Sequence, residues 1–578
     1  MTSALTQRVQ ARAYERRWWI LVVLCFSLLV IVLDNTILNV AIPTIVRDLD
    51  ATNSQLQWMV DAYTLVFAGL LLTAGSLGDR FGRRGALQFG LVVFGLGSLA
   101  SAFANSADQL IATRAFMGIG GAFIMPATLS IITNVFPPGE RGKAIGFWAG
   151  TAGLAGVLGP TTGGFLLEHF YWGSVFLVNI PIVIVGLLAG VFLIPTSKDP
   201  TAPRLDPIGA VLSIAGLVSL LYGIIEAPQQ GWSDSTILTA FVVGIVLLAA
   251  FLVWENHTDH PMLDVKFFKN PRFTAASSGI MLIFFAMFGT TFLITQYFQF
   301  VLGYSPLATG IRFLPWAAVI LVGSPLSARL VDRIGTKRVV TLGLSLATLG
   351  LLSLSTLTPT SHYWPDVILR MMLMASGMAL TMAPATESIM SSLPLAKAGV
   401  GSAVNDTTRQ VGGALGVAII GSVLSSIYAS QMGDFLAGTP VKGRTAESIK
   451  ESLGAALGVA KGLARTAPEL AASLARTANS AFVDGMQIGL LVAAGATLLG
   501  AVIAFVWLPA RARREDVEAQ DAAHMHNGRV AAPATEGASV SEPCIPARSE
   551  RPIEEGASVS EPCIPARSER PVEEEVPR

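Results

Sequence analysis

Fourteen long apolar runs, each able to cross a bilayer, constrain this chain of 578 residues more than any other feature. A helix spans the hydrocarbon core with ~20 mostly apolar residues. Runs of that kind recur at 18–46, 55–77, 85–104, 110–135, 143–168, 171–195, 206–226, 235–254, 273–302, 306–331, 338–358, 364–392, 399–426 and 483–508. The fold class predicted is therefore all-α and integral to a membrane. Composition agrees: 13% of residues are charged, about half the ~25% of a soluble domain. Such a surface meets something other than water. A net charge of zero argues against nucleic acid as a partner, because binding there is carried by excess Lys and Arg.

The first run follows Arg8, Arg12, Arg16 and Arg17, yet it is too long for a signal-peptide core and no small-residue cleavage site follows. It reads as a retained first helix. An even number of spans puts both termini on one side. The connections after spans 2, 4, 6, 8, 10 and 12 carry Arg80, Arg83, Arg84, Arg141, Lys143, Lys198, Arg204, Lys266, Lys269, Arg333, Lys337, Arg338 and Lys397, while the opposite set holds little beyond Arg47. Positive loops stay in the cytoplasm, so both termini are expected there. The loop 427–482 dissents with Lys442, Arg444, Lys450, Lys461, Arg465 and Arg476, but at its length the charge rule loses force. Its Ala/Leu pattern predicts one or two short amphipathic helices on the outer face.

Residues 1–17 form a cytoplasmic N-terminus in this reading, and 511–578 a disordered cytoplasmic tail. That tail holds a duplication: EGASVSEPCIPARSERP runs from Glu536 to Pro552 and again from Glu555 to Pro571. Two copies of so polar a segment cannot bury a core. The three cysteines, Cys25, Cys544 and Cys563, show neither metal-site spacing nor a disulfide framework.

A second self-similarity relates the two halves. Residues 75–84 read GSLGDRFGRR and residues 327–338 read SARLVDRIGTKR. Each places an Asp-Arg-x-Gly-x-basic turn after the second helix of a six-helix unit. The chain thus divides into a six-helix bundle at 18–195, two inserted helices at 206–254 and a second six-helix bundle at 273–508.

With those turns, three further signatures complete a resemblance to the major facilitator superfamily, and within it to the fourteen-helix drug:proton antiporter family. Residues 33–43, LDNTILNVAIP, resemble that family's D-x-T-x-x-N-x-A-x-P. Leu110 and Arg114, then Gly118, Gly120 and Gly121, resemble the helix 4 pattern. Residues 156–164, GVLGPTTGG, resemble the antiporter motif, here Gly156, Gly159, Pro160, Gly163 and Gly164. The likeness covers about residues 15–510. It implies alternating access between two rocking halves and a cytoplasmic gate built from Gly75, Asp79, Arg80, Gly82, Arg83 and Arg84 with Asp332 and Arg333. Asp79 is expected to face the N-terminus of helix 13 near Gly399–Ser402, where a carboxylate gains from the helix dipole.

Ionisable residues inside spans are costly and mark function. Asp34 on helix 1, Asp61 on helix 2 and Arg114 on helix 4 fall in the outer half of the first bundle by depth. Glu387 on helix 12 with Asp406 and Arg409 on helix 13 fall in the inner half of the second, and the last two can pair at i, i+3. All six are candidates for proton coupling, since an Arg that balances two carboxylates is released by protonating one. The resemblance implies a cavity lined by helices 1, 4, 9 and 12. Asn35, Asn39, Phe284, Phe288, Phe292, Gln296, Met374, Met378 and Met382 are its candidate lining, with methionine suited to varied apolar substrates.

No phosphate loop appears: residues 139–143, GERGK, have the wrong spacing. Nor does a catalytic or metal-binding constellation. We expect a monomeric transporter with no cofactor, driven by the proton gradient and exporting small amphipathic or hydrophobic molecules from a prokaryotic cytoplasmic membrane. An exporter of one natural product, siderophore or lipid, or an uptake symporter on the same fold, remains open.

Overall fold

A computed structural model describes residues 14–49, 53–198, 206–258, 261 and 263–509. The tail and its duplication lie outside them, as do most of the N-terminus, Cys544 and Cys563. Fourteen long helices follow one another: α1 (Arg17–Leu49), α2 (Asn53–Phe81), α3 (Arg83–Ala102), α4 (Ala107–Val135), α5 (Pro138–His169), α6 (Asn179–Leu193), α7 (Pro207–Gln230), α8 (Ser235–His257), α9 (Pro271–Gln296), α10 (Pro306–Ile334), α11 (Thr336–Leu354), α12 (Ile368–Ser391), α13 (Ala398–Ala437) and α14 (Pro468–Trp507). Their starts carry the expected signals. Ser106, Asp206, Asp234, Asn270 and Ser305 each accept a hydrogen bond from a backbone N–H of the first turn.

Thirteen of the described helices, α6 taken together with the helical turn from Ser174, are apolar and long enough to cross a membrane. The exception is α5, which has the length at 32 residues but is diluted by seven glycines and three threonines between 146 and 164. Its neighbours explain the tolerance: α5 lies against α1 and α10, so protein covers it where lipid covers α8, only 17% of whose apolar window is buried.

The pairs α1–α5, α1–α6, α2–α4, α3–α4 and α3–α6 pack together in the first half, and the same five pairs recur by position in the second, α9 standing for α1. Across the halves α5 meets α10 and α13 meets α2, which is the same pairing again. The chain is thus a duplicated six-helix fold with a pair inserted between the copies. Each half has its own apolar core. The inserted α7 lies over the seam of α2 and α13, where Leu65, Ala68, Leu221, Ile224 and Ala418 make a third, smaller one.

The 427–482 segment differs from expectation in extent. Helix α13 runs on to Ala437 and α14 begins at Pro468, leaving two short helices between them, Arg444–Glu451 and Leu453–Leu463. The reason is a core: Tyr428, Met432, Leu436, Ile449, Leu453, Leu474 and Phe482 are all buried together.

Candidate functional site

At the centre of the first half, three helices and the start of α6 converge on Asp34. The carboxylate and Arg114 form an ion pair with both side chains fully buried. Arg114 Nε also donates to the Met59 carbonyl at 3.1 Å, and its guanidinium lies 4.5 Å from the centre of the Tyr63 ring. The other carboxylate oxygen accepts from Asn179 Nδ2 at 2.8 Å. Asn179 in turn reaches Ser98 Oγ at 3.0 Å, and Ser98 donates to the Phe176 carbonyl at 2.8 Å. Asp34 is thus held between a cation and an amide, in a position where only a change of helix packing or a proton can alter its charge balance. Asp61 is half-buried on α2 between Met59 and Tyr63, both of which touch Arg114. Asn35 is half-buried on the adjoining turn, its amide donating to the Ile31 carbonyl at 3.0 Å. The side chain of Asn39 lies outside what the structure describes. Sequence reasoning missed Asn179, Ser98 and Tyr63; the signal was an Asn inside the otherwise apolar run 171–195.

The second cluster joins the two halves. On α13, Asp406 Oδ1 accepts from Asn405 Nδ2 at 3.1 Å, and Ser402 Oγ is 3.5 Å from Oδ2. Arg409 stands only loosely against this carboxylate, with 3.8 Å from Nη1 to Oδ1. Its firmer partners are Thr386 Oγ1 on α12, which accepts from Nη2 at 2.9 Å, and two ring faces. These are Trp148 of α5 at 4.9 Å and Phe284 of α9 at 5.1 Å. Trp148 is fully buried and donates from Nε1 to Thr128 Oγ1 of α4 at 3.1 Å. Glu387, the next residue on α12, lies within electrostatic reach of Arg141, Arg272 and Asp332. Arg141, a connection charge by sequence, is in the first turn of α5 and has no exposed surface.

The third cluster closes one end of the molecule. Asp79 accepts from the backbone N–H groups of Gly399 at 2.9 Å and Val400 at 3.1 Å, at the start of α13. Arg83 Nε donates to Asp79 at 2.8 Å, and its Nη2 reaches the carbonyls of Leu395 at 2.7 Å and Ala396 at 3.0 Å. A carboxylate thus meets the positive end of a helix while its Arg partner takes the carbonyls just before it. The helices meet so closely that a Cβ on Gly75 would stand 2.6 Å from the Gly399 oxygen. Gly82, at φ 120°, makes the turn that a side chain would strain. Arg84 reaches the carbonyl of Ile194 at 3.4 Å, and Arg80 lies over Phe81. The related turn of the second half does not reproduce this: Asp332 and Arg333 are exposed, with no hydrogen bond to either side chain among the described residues.

Of the motif on α5, Gly159 presses on α1, where a Cβ would collide with Thr36, and Gly164 faces Leu307 of α10. Gly163 is buried, and the Pro160 side chain is outside the description. A Cβ on Gly156 would meet no described atom within 4 Å, so close packing against the described residues does not explain it. The tight approach to α10 comes from Gly146 and Gly150, where a Cβ would lie 2.8 Å from Pro325 Cα and 3.0 Å from Leu321 Cα.

The two candidate cavity stripes part company. Phe284 is buried beneath Arg409 and stacks on Phe288, while Phe288 and Phe292 are 42% and 38% exposed and Gln296 is half-buried. Met374, Met378 and Met382 are instead buried in the second core, with Met374 backed onto Gly350 of α11. In this conformation they offer no surface to a substrate. Among the described residues no group of His, Cys, Asp or Glu is placed to hold a metal ion.

Comparison with known proteins adds three findings. The family model of the Major Facilitator Superfamily matches residues 24–417. The multidrug efflux pump LfrA of Mycolicibacterium smegmatis is 37% identical over 76% of this chain and 87% of its own length. The tetracenomycin C resistance and export protein of Streptomyces glaucescens is 31% identical over 85% and 91%, and the methyl viologen resistance protein SmvA of Salmonella typhimurium 34% over 72% and 84%. Among solved structures, the proton:xylose symporter XylE superposes with a TM-score of 0.56 at 14% identity, covering 86% of this chain and 98% of that one, a likeness of fold alone.

Proposed function

The chain belongs to the major facilitator superfamily, and from that membership we propose that it is a proton-coupled exporter of small amphipathic molecules, drugs and antibiotics among them. The observation that carries the reading is the Asp34–Arg114 pair, wholly buried at the heart of the first bundle with Asn179 on the second carboxylate oxygen. A buried ion pair is weak evidence for stability, whereas an ionisable residue in a membrane span is expensive and marks proton or substrate traffic. The efflux and resistance proteins named above favour export over uptake.

In this reading Asp34 takes a proton from the outer side and Arg114 is released toward Met59 and Tyr63. That change in charge balance biases the rocking of the two halves. The Asp79 clamp holds the cytoplasmic end shut, and the exposed faces of Phe288 and Phe292 receive the substrate. The energy comes from the proton gradient, without a cofactor. A single chain in a bacterial cytoplasmic membrane suffices, with both termini inside, a placement the basic connections support.

Dye efflux from cells expressing the chain, with and without a protonophore, tests this. Efflux that stops with the protonophore supports the reading. Inward accumulation, or efflux indifferent to the gradient, refutes it.

A further inference from the structure

We propose that Trp148 is the positioning residue through which movement of the two halves sets the charge state of Asp406. The inference rests on the proton-coupled reading and extends it to a second site.

Asp406 and every group that touches it (Ser402, Asn405 and Arg409) belong to the second half. So do Thr386 and Phe284, which hold Arg409 from two sides. Trp148 alone among the described contacts of Arg409 belongs to the first half, and it is anchored there by its Nε1 bond to Thr128. Arg409 is therefore shared between a ring that leaves when the halves part and a carboxylate that travels with it.

The contact crosses from the first half to the second, on helices that both start at the Asp79 end. Trp148 is ten residues into α5 and Arg409 eleven into α13, so both lie about 15 Å from the Asp79 end at ~1.5 Å per residue. With that end shut, as described here, ring and guanidinium are 4.9 Å apart and Nη1 stays 3.8 Å from Asp406. Opening the Asp79 end withdraws Trp148. Arg409 then loses one of its two ring faces, and the remaining uncompensated donor capacity turns to the nearest anion, Asp406. An Arg closing on a carboxylate favours its charged form, so the proton leaves Asp406 toward the open Asp79 end. Closing that end restores the ring contact, loosens the pair and readies the carboxylate for a proton from the opposite side. One proton thus moves toward the Asp79 end per cycle while substrate moves away from it. The other charged groups nearby, Glu387 with Arg141, Arg272 and Asp332, act on one another and are not among the groups that act on Asp406, which are Arg409, Asn405 and Ser402.

The test uses the full chain in proteoliposomes with the fluorescent cation ethidium as the probe. Two activities are compared: accumulation driven by a pH gradient, and dye counterflow at equal pH, which needs the rocking but no net proton movement. Trp148→Leu is expected to keep counterflow within twofold of native and to lose at least tenfold in driven accumulation. Its residual driven transport should need about tenfold more protons for half-maximal rate, since Arg409 then stays with Asp406. Trp148→Phe, which keeps a ring face, restores most of the coupling. Thr128→Val, which removes only the anchor, falls between and serves if the leucine variant does not fold. The inference is overturned if driven transport in these variants matches native, or if both activities fall together with no shift in pH dependence. A native chain that exchanges the dye but ignores the pH gradient overturns the antiport reading itself.

Discussion

Replacing Asp34 by Asn separates what the central pair does for the fold from what it does for transport. The substitution preserves shape but takes from Arg114, a cation with no exposed surface, the carboxylate of its ion pair. Removing one partner of a buried pair costs about 3–5 kcal/mol. The lower end applies here, because Arg114 keeps the Met59 carbonyl at 3.1 Å and the Tyr63 ring at 4.5 Å, and Asn179 can still donate to the oxygen of the new amide. A loss of ~3 kcal/mol corresponds to about a hundredfold in the folding equilibrium. Unfolding of detergent-solubilised protein measures it. The double variant with Arg114→Gln removes the stranded charge as well. It should regain up to ~3 kcal/mol, the size of interaction energies between touching residues. Proton-driven efflux, by contrast, should be absent from both. Two results would refute the reasoning: a single variant as stable as native and still coupled, or a double variant that recovers pumping along with its stability.

Other parts of the molecule yield four shorter tests. Asp79→Asn keeps the side chain's size but gives up the charge on two backbone N–H groups and on Arg83; hydrogen bonds to charged groups are worth ~1.5–3 kcal/mol, so labelling of a cysteine placed on the Asp79 side should rise about tenfold or more. Gly159→Ala drives a methyl into Thr36 and Gly146→Ala into Pro325, each costing ~1–3 kcal/mol of overpacking, whereas a Cβ on Gly156 meets no described atom within 4 Å, so Gly156→Ala should melt and transport as native. Met378→Ala, fully buried, should lose about 2–5 kcal/mol of stability, while Phe288→Ala should shift the range of exported dyes with little loss of stability. Arg17 bonds Glu140 through both oxygens at 2.6 and 3.0 Å and holds its carboxyl below the ordinary 4.5. A depressed carboxyl stabilises above its unfolded value and ceases to as pH falls through the folded one. Glu140→Gln should therefore cost no more than ~0.5 kcal/mol at pH 7, the pair being partly exposed, and nothing once the pH has fallen through the folded carboxyl's lowered value.

What the sequence made legible, and what it hid, divides along a physical line. Apolar run length, Lys/Arg placement and the duplicated Asp-Arg turn are local or one-dimensional, and the helices of both halves could be read from them. Asp79 was legible too, because a carboxylate, a positive-φ glycine and three arginines within six residues leave few uses at a helix end. The partners of Asp34 were not. Asn179 lies 145 residues away, and an Asn in an apolar run says that a polar contact exists without saying with whom. The methionines of α12 expose a deeper limit. In water an apolar face points inward, but in a bilayer lipid, protein core and a greasy cavity all accept the same side chains, so a four-residue stripe carries no direction. Phe284–Phe288–Phe292 and Met374–Met378–Met382 have equivalent spacing, yet Phe288 and Phe292 are exposed while all three methionines are buried. Charge is what breaks the tie. Phe284 is distinguished by the guanidinium above it, and that guanidinium is placed by a tryptophan from the other half. In a fold of this kind the search for a working surface should therefore start from the buried cations and follow their ring and carboxylate contacts outward. Apolar periodicity serves only to locate the helices that carry them.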